Sequence, residues 1–414
     1  MLLVFVTAFV QQSVVVVPRG LRQKRLATEW FEGPEKTLEV CFTPGVGDPQ
    51  GCRALKADAL GSILAEARCE ILSMRSNAHL DAYVLSESSL FVYPHKVVIK
   101  TCGRTTLLRC LRRLLELATF THLGLRLEWV GYSRKNYAFP DAQPSPHTSF
   151  HEELAYLKAH SHIHSAAFDG RGYLLGPITG DHWFVYVSDQ CERPGVERTI
   201  NVMMFDLDDA VRRLFYLGDG ESSGPATGDD MTARSGLGTV LGHPEHIDAH
   251  AFSPCGYSMN ALDDLFYTTV HVTPQAECSY ASFETNTPLD NYDALVNRVL
   301  EVFRPGRAVV TLFADAHPSA DCTTFDAPQI DVNGLGTYQR ADFSSLHVEA
   351  DCVCMMANYA LSPDIQELLR PAADRLSNNN TDEHPSLLTK KYSRRRRTPH
   401  HNNLPVSAAC SSPH

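Results

Sequence analysis

Residues 82–93 and 96–101 constrain the fold more than any other part of this chain. Both are rich in β-branched and aromatic residues or alternate apolar with polar, which reads as strand. Only two residues separate them. A parallel pair needs a crossover of a dozen residues or more, so these strands must run antiparallel. The same patterning marks 182–188, 266–273, 278–284 and 308–314 as strands. Helical spacing joins Leu107, Leu108, Leu111, Leu114, Leu115 and Ala118. It also joins Leu295, Val296, Val299, Leu300 and Phe303, where Pro305-Gly306 stops the helix. Ser149, with Glu152 three residues on, is a capping box opening a helix through Leu157. The class is α+β: antiparallel sheets with helices packed outside them. No tandem repeat at solenoid periods is visible.

Composition sets the outer bounds. Hydrophobic residues make up 43% and charged residues 21% of 414, enough for a packed core in one large unit or two to three smaller ones. The twelve cysteines are irregularly spaced and form no CxxC pair, which reads as reduced thiols of an intracellular, cytoplasmic protein. The net charge of −11 is uneven. The first 25 residues and the segment from Ser377 each carry +4, leaving −19 between them. An acidic body excludes nucleic acid as the main partner, because phosphate binding needs a basic surface. It suits either a cationic ligand or simple solvation.

The two ends read as lying outside the fold. Residues 1–27 carry an apolar run that is too short and interrupted to span a bilayer, and they lack a secretory signal's layout. They read as an extension, with an organelle transit segment as the alternative. Residues 377–414 are rich in Asn, Ser, Pro and Arg and read as a disordered basic tail. No membrane partner is expected.

The common chemical motifs are missing. There is no P-loop, no HExxH and no GxSxG. Gly236, Gly238 and Gly242 imitate part of a dinucleotide fingerprint, but no strand leads into them. His243, His246 and His250 could share a helix face, yet Pro244 and the lack of a companion Cys or His motif favour surface histidines over a metal site, and no metal is expected. The unusual segment is Tyr83–Phe91, where Ser86-Glu87-Ser88-Ser89 interrupts strand-forming sequence. Taken alone it reads as a hairpin turn or an edge kink. Cys102 ends a strand and reads as a small buried hydrophobe. His271 lies in a β-branched strand, where a histidine is usually structural.

Together these pieces match a family. YVLSESS (83–89) followed by KTCG (100–103), then CGYSMN (255–260) and the His271-containing VHVTP strand, resembles eukaryotic S-adenosylmethionine decarboxylase. So do Phe31-Glu32-Gly33-Pro34-Glu35-Lys36, Tyr132-Ser133-Arg134-Lys135-Asn136 and Phe283-Glu284-Thr285-Asn286. The resemblance runs in order from about Trp30 to about Leu361 within a domain placed at 28–365. YVLSESSLFVYPHK and AQPSPH resemble the plant and green-algal branch more than the animal one.

The resemblance implies a four-layer αββα sandwich of two antiparallel sheets. It also implies a proenzyme that cuts itself between Glu87 and Ser88, into a β chain 1–87 and an α chain 88–414. Ser88 Oγ would attack the Glu87 carbonyl, through an oxyanion to an ester. His271 would remove the Ser88 Cα proton and Ser258 would assist, leaving a covalent pyruvoyl group at position 88. That group would form a Schiff base with S-adenosylmethionine and accept the electrons left by departing CO₂. The product would be the aminopropyl donor for spermidine and spermine. Cys102 matches the acid that returns a proton to the substrate, its thiol pKa lying near the working range. Phe31 and Phe252 match the residues that sandwich the adenine. Glu32 and Glu35 match active-site acids, and Leu85 and Glu87 match backbone contacts to the base. The αβ unit is expected as a monomer or a homodimer.

The chain departs from the family pattern in three places. Gln275 stands where a glutamate grips the ribose hydroxyls, so binding is weaker or Glu277 substitutes. The stretch 260–267 is one residue short and lacks a glycine before the strand. The diamine-binding regulatory site of animal members is matched at Glu39, Lys100 and Glu284 only; Glu197 and Asn201 fall where two further acids belong, and Arg134 would supply a fixed positive charge instead. The alternative to an active enzyme is a catalytically inactive relative that activates another subunit. A Cys-His hydrolase using Cys102 and His271 is a third reading.

Overall fold

The computed structural model describes residues 32–159, 170–188, 198–315, 317–318, 325–326, 337–348 and 352–362. The expected extension at 1–27, Phe31, Glu197 and the tail at 377–414 lie outside them.

The strands form two eight-stranded antiparallel sheets, with inner strands buried on both faces. The first contains β1 (Lys36–Thr43), β2 (Ile71–Ser76), β3 (Asp81–Leu85), β4 (Ser88–Val92), β5 (Lys96–Thr101), β6 (Arg126–Lys135), β7 (Gly170–Leu175) and β8 (Trp183–Ser188). Its spatial order is β2-β3-β4-β5-β1-β6-β8-β7. The second contains β9 (Arg198–Leu207), β10 (His246–Ala251), β11 (Tyr257–Asp263), β12 (Phe266–Thr273), β13 (Tyr280–Thr285) and β14 (Pro305–Asp315). After the small pair β15 (His317–Pro318) and β16 (Phe325–Asp326), it is completed by β17 (Tyr338–Val348) and β18 (Cys352–Leu361). Its order is β10-β11-β12-β13-β9-β14-β18-β17. The two orders are the same path walked twice, so the molecule is two topologically equivalent halves. No repeat is visible in the sequence, because the halves share a pattern of pairing and not a pattern of residues.

The helices are α1 (Ala57–Ala67), α2 (Cys110–Thr119), α3 (Phe150–Lys158), α4 (Asp209–Arg213), α5 (Pro225–Ser235), α6 (Gly238–Leu241) and α7 (Asp293–Phe303). The leucine stripe from Leu107 enters through a 3-10 turn, Leu107–Arg109, and continues as α2; with α1 it buries the face of β1 bearing Leu38 and Val40. The stripe from Leu295 is α7, which packs on Val202, Val270 and Phe283 and ends at Arg304 (φ 44°) before Pro305. Between the sheets, Trp129, Trp183, Met203, Phe205 and Met356 form a third apolar layer. Helices outside and two sheets inside give the expected αββα sandwich.

Three local readings change. The stretch 82–93 is not one strand: it turns at Ser86-Glu87, with Leu85 opposite Ser88. The Ser149 cap is half of a capping box, since Ser149 Oγ accepts from the Glu152 N–H at 3.2 Å while Thr148 takes the Glu152 carboxylate. His246 and His250 belong to β10, so strand geometry replaces the shared helix face; Gly236 (φ 80°) is the C-cap of α5, in keeping with the absence of a strand leading into it. Among the described residues no helix is long and apolar enough to cross a membrane.

Candidate active site

Strand alternation places polar residues where an ordinary sandwich would bury aliphatic ones. Ser258 and Asn260 on β11, Thr269 and His271 on β12, and Ser282 and Glu284 on β13 all face the first sheet, while Met259, Val270 and Phe283 face the helices. Opposite them stands the β3–β4 hairpin. Two-residue hairpins normally put positive φ at their central residues, to match the twist of the strands. Ser86 and Glu87 have no positive φ, and Ser88 carries φ 136° instead. For a side chain other than glycine that is strained backbone, held by pairing to Leu85 and Thr101.

Ser88 is buried, and its Oγ lies 2.9 Å from His271 Nε2. The other ring nitrogen, Nδ1, lies 2.9 Å from Ser258 Oγ. Thr269 Oγ1 and Ser89 Oγ also approach Nε2, at 3.0 and 3.2 Å, and Ser89 donates to Asn260 Oδ1 at 2.7 Å. Burial, with Lys100 adding to it, lowers the His271 pKa to about 3, so the ring is neutral. The Glu87 carbonyl, one atom from the Ser88 nitrogen, accepts the Cys102 N–H at 2.9 Å. Cys102 Sγ is 3.8 Å from Glu87 Oε2. Burial raises the Cys102 thiol well above its usual value, and Glu87 and Glu35 raise it further. This corrects the expectation of a thiol titrating near the working range: here it holds its proton. Burial also raises the Glu87 side chain.

The matched acids serve as braces. The Glu32 carboxylate accepts the Ala138 and Phe139 N–H groups at 3.1 Å each, and its carbonyl accepts the Gly103 N–H. Burial raises its pKa against those two bonds. Glu35 accepts from Tyr280 Oη at 2.9 Å and Ser282 Oγ at 2.6 Å, which ties the first sheet to the second. Neither carboxylate bonds Ser88 or His271. Leu85 is buried at the end of β3, and Phe252 is half-buried with its ring 5.0 Å from that of His250. Gln275 keeps Oε1 buried and unpaired, whereas Glu277 is exposed.

Glu39, Asn201 and Glu284 line a cavity of about 70 Å³ between the sheets, walled by Trp129, Trp183 and Phe313. Lys100 pairs with Glu284 there, and Tyr267 Oη donates to it at 3.0 Å. Arg134 does not supply the cavity's positive charge. Its guanidinium lies on the helix side of the first sheet, bonded to both Glu153 oxygens at 2.8–2.9 Å and stacked 4.0 Å from the Tyr137 ring.

Ser89, Asn260, Thr269, Ser282 and Lys36 have no role that is legible from sequence. The available signal was the period-two run of polar residues in YTTVH (267–271) and the strands beside it.

A buried serine and a neutral histidine, meeting at a strained hairpin between two like halves, make an enzyme-type site. The chain belongs to the adenosylmethionine decarboxylase family, whose model matches residues 28–360. A relative from Dictyostelium discoideum, named S-adenosylmethionine decarboxylase proenzyme, is 41% identical over 314 residues, covering 72% of this chain and 79% of the relative. A protein of the same name from Oryza sativa subsp. indica is 40% identical over 341 residues, covering 75% and 82%. One from Drosophila melanogaster is 38% identical over 303 residues, covering 70% and 84%. These values differ too little to assign a plant or an animal branch. The crystal structure of the Trypanosoma brucei AdoMetDC-delta26 monomer matches with a TM-score of 0.50 and 28% identity, covering 66% of this chain and 99% of that one.

Proposed function

We propose that this chain is a proenzyme that cleaves itself between Glu87 and Ser88 and then decarboxylates S-adenosylmethionine, yielding the aminopropyl donor of spermidine and spermine synthesis. The observation that carries the reading is the geometry around one peptide bond. Ser88 Oγ sits 2.9 Å from a neutral imidazole nitrogen, and the carbonyl it must attack already holds a backbone donor.

The chemistry follows from those atoms. Ser258 accepts from Nδ1–H, which leaves Nε2 free to take the Ser88 hydroxyl proton. Burial makes the imidazolium a poor resting state, so the proton passes on to the departing Ser88 nitrogen. As Oγ bonds to the Glu87 carbon, the charge on the carbonyl oxygen falls on the Cys102 N–H. Relief of the Ser88 backbone strain favours breaking the C–N bond. His271 then takes the Ser88 Cα proton, the Cβ–O bond breaks, and Glu87 leaves as a carboxylate; the dehydroalanine left at position 88 tautomerises to an imine that water hydrolyses, releasing the nitrogen as ammonia and leaving the pyruvoyl carbonyl.

A pyruvoyl group derived from Ser88 fits this place. The position is buried, and Asn260 Nδ2, next to Ser89, is a buried donor without a partner among the described residues. When formed, that group supplies a carbonyl that joins the substrate amine and takes up the electrons of the lost carboxylate. Cys102, held protonated by burial, returns a proton to the substrate carbon. Gln275 faces the ribose, Phe31 and Phe252 hold the adenine, and Leu85 and Glu87 contact its edge through their backbone. Glu32 and Glu35 brace the site. The alternative of an inactive activating relative has no support, since the relatives reported above are named proenzymes. A cytoplasmic setting is supported by the free thiols of Cys52, Cys69, Cys102, Cys110 and Cys255.

A denaturing gel tests the reading. The wild type should run as chains of about 9–10 and about 36 kDa, and Ser88→Ala as one uncut chain without decarboxylase activity. A wild-type preparation that decarboxylates while staying uncut would overturn it.

A further inference from the structure

Lys36 is fully buried, and no carboxylate among the described residues lies within ion-pair distance of it. Its ammonium bonds the Gly103 carbonyl at 3.0 Å and sits 5.6 Å from the Tyr137 ring. A buried ammonium without an anion is costly, and such a group persists where something else requires it. What it touches is the loop that follows β5. Gly103 has φ 62°, a conformation glycine adopts freely. Its N–H is held by the Glu32 carbonyl and its C=O by Lys36. That fixes the adjacent Cys102, whose N–H grips the carbonyl of the bond to be cut.

Self-cleavage creates negative charge at that carbonyl. The addition step puts it on the oxygen, and the elimination step leaves a full carboxylate on Glu87. The Glu87 side chain already supplies a second carboxyl to the same corner. We propose that Lys36 is a positioning residue of self-cleavage, holding the Cys102–Gly103 loop in its donor geometry and balancing the negative charge that the reaction leaves on Glu87. This rests on the processing reading above.

The surroundings fit a cation waiting for an anion. Burial lowers the Lys36 pKa to about 8. The groups acting on it come from every element packed around it. Glu32 favours the charge, as does Glu153 from α3, and Arg134 on β6 opposes it, while Cys102 would add to the attraction only as a thiolate, at a pH above that of the other groups. Glu87, Cys69 and His147 each feel its charge in turn. The ammonium is therefore present at neutral pH and is lost as pH rises through about 8.

The test is the timed cleavage of freshly refolded full-length chain from about pH 6.5 to 9.5, read on a denaturing gel. The variants are Lys36→Met and Lys36→Arg, with Ser88→Ala as control. At pH 7, Lys36→Met should cleave at least about tenfold more slowly, and Lys36→Arg within about threefold of wild type. The wild-type rate should fall above about pH 8, while the permanently charged Lys36→Arg stays flat. A purely structural lysine would leave wild type and Lys36→Arg with the same profile, and that result overturns the proposal. So does Lys36→Met cleaving at the wild-type rate. If Lys36→Met does not fold by circular dichroism, the comparison of wild type with Lys36→Arg decides alone. Cleavage of Ser88→Ala would overturn the processing reading instead.

Discussion

At the residue scale, burial does most of the chemical tuning. Cys102 and His271 are common side chains made unusual by low dielectric: one is kept protonated and the other neutral. Two predictions follow from them and from their neighbours. Cys102→Ala keeps the backbone N–H that faces Glu87, so cleavage should continue while turnover falls by about 10²-fold or more; loss of both together, on gel and in a CO₂-release assay, would mean the thiol is needed for processing. Gln275 Oε1 is buried and unpaired while Glu277 is exposed, which supports the proposed sugar contact at Gln275 over one at Glu277. Gln275→Glu should lower KM about fivefold, roughly 1 kcal/mol, by making charge-assisted bonds to the ribose. A rise in KM would show that burying the carboxylate costs more than those bonds return.

At the element scale, the strands decide which charges can meet. Arg134 and Lys135 are neighbours on β6, yet alternation sends Arg134 to the helix side, where Glu153 holds it between aromatic rings. Arg134→Leu should therefore act on stability. Leaving Glu153 buried without its cation should cost about 3–5 kcal/mol in urea unfolding, with no change in the response to diamines. The cavity between β1, β9 and β13 contains Glu39 and Glu284, but Asn201 supplies no charge and Lys100 already neutralises Glu284. Putrescine at millimolar concentration should raise cleavage and decarboxylation less than about twofold. A saturable tenfold rise in the same assay would show that the cavity's carboxylates, Glu35, Glu39 and Glu284, suffice to hold a dication.

Across the whole molecule, two equivalent halves bury histidines that water would protonate. His271 lies between the sheets with a pKa near 3, and His147 lies under α3 with one near 4, each lowered chiefly by burial. Below the unfolded value of about 6.5 the unfolded chain binds protons that the native chain refuses. Stability should be intact above about pH 6.5 and decline as pH falls, by about 1.4 kcal/mol per pH unit for each histidine. Uncut Ser88→Ala protein, melted between about pH 6.5 and 5, avoids interference from processing, and adding His147→Gln should flatten the slope.

Local order was legible because it is written in local periods. The strands at 96–101 and 266–273, the leucine stripe of α2 and the stop at Pro305 follow from alternation, helical spacing and backbone restriction, which act within a few residues. The family motifs likewise carried Ser88, Cys102, Ser258 and His271, because each sits in a contiguous string. The sequence offered a hairpin turn at Ser86-Glu87 beside an edge kink without choosing between them, since a polar break in a strand has the same composition whether it kinks or turns, and the positive φ of Ser88 was not legible. Nor were the partners of Arg134 and Lys36, or the ring of hydroxyls about His271. Those depend on which face of which strand meets which, across separations of up to 183 residues between Ser88 and His271. Sequence by itself determined the elements with strong local periods and, through the family motifs, the candidate reactive residues. Only the packing of one sheet on the other decided which charges are paired, which are left waiting, and how far burial shifts them.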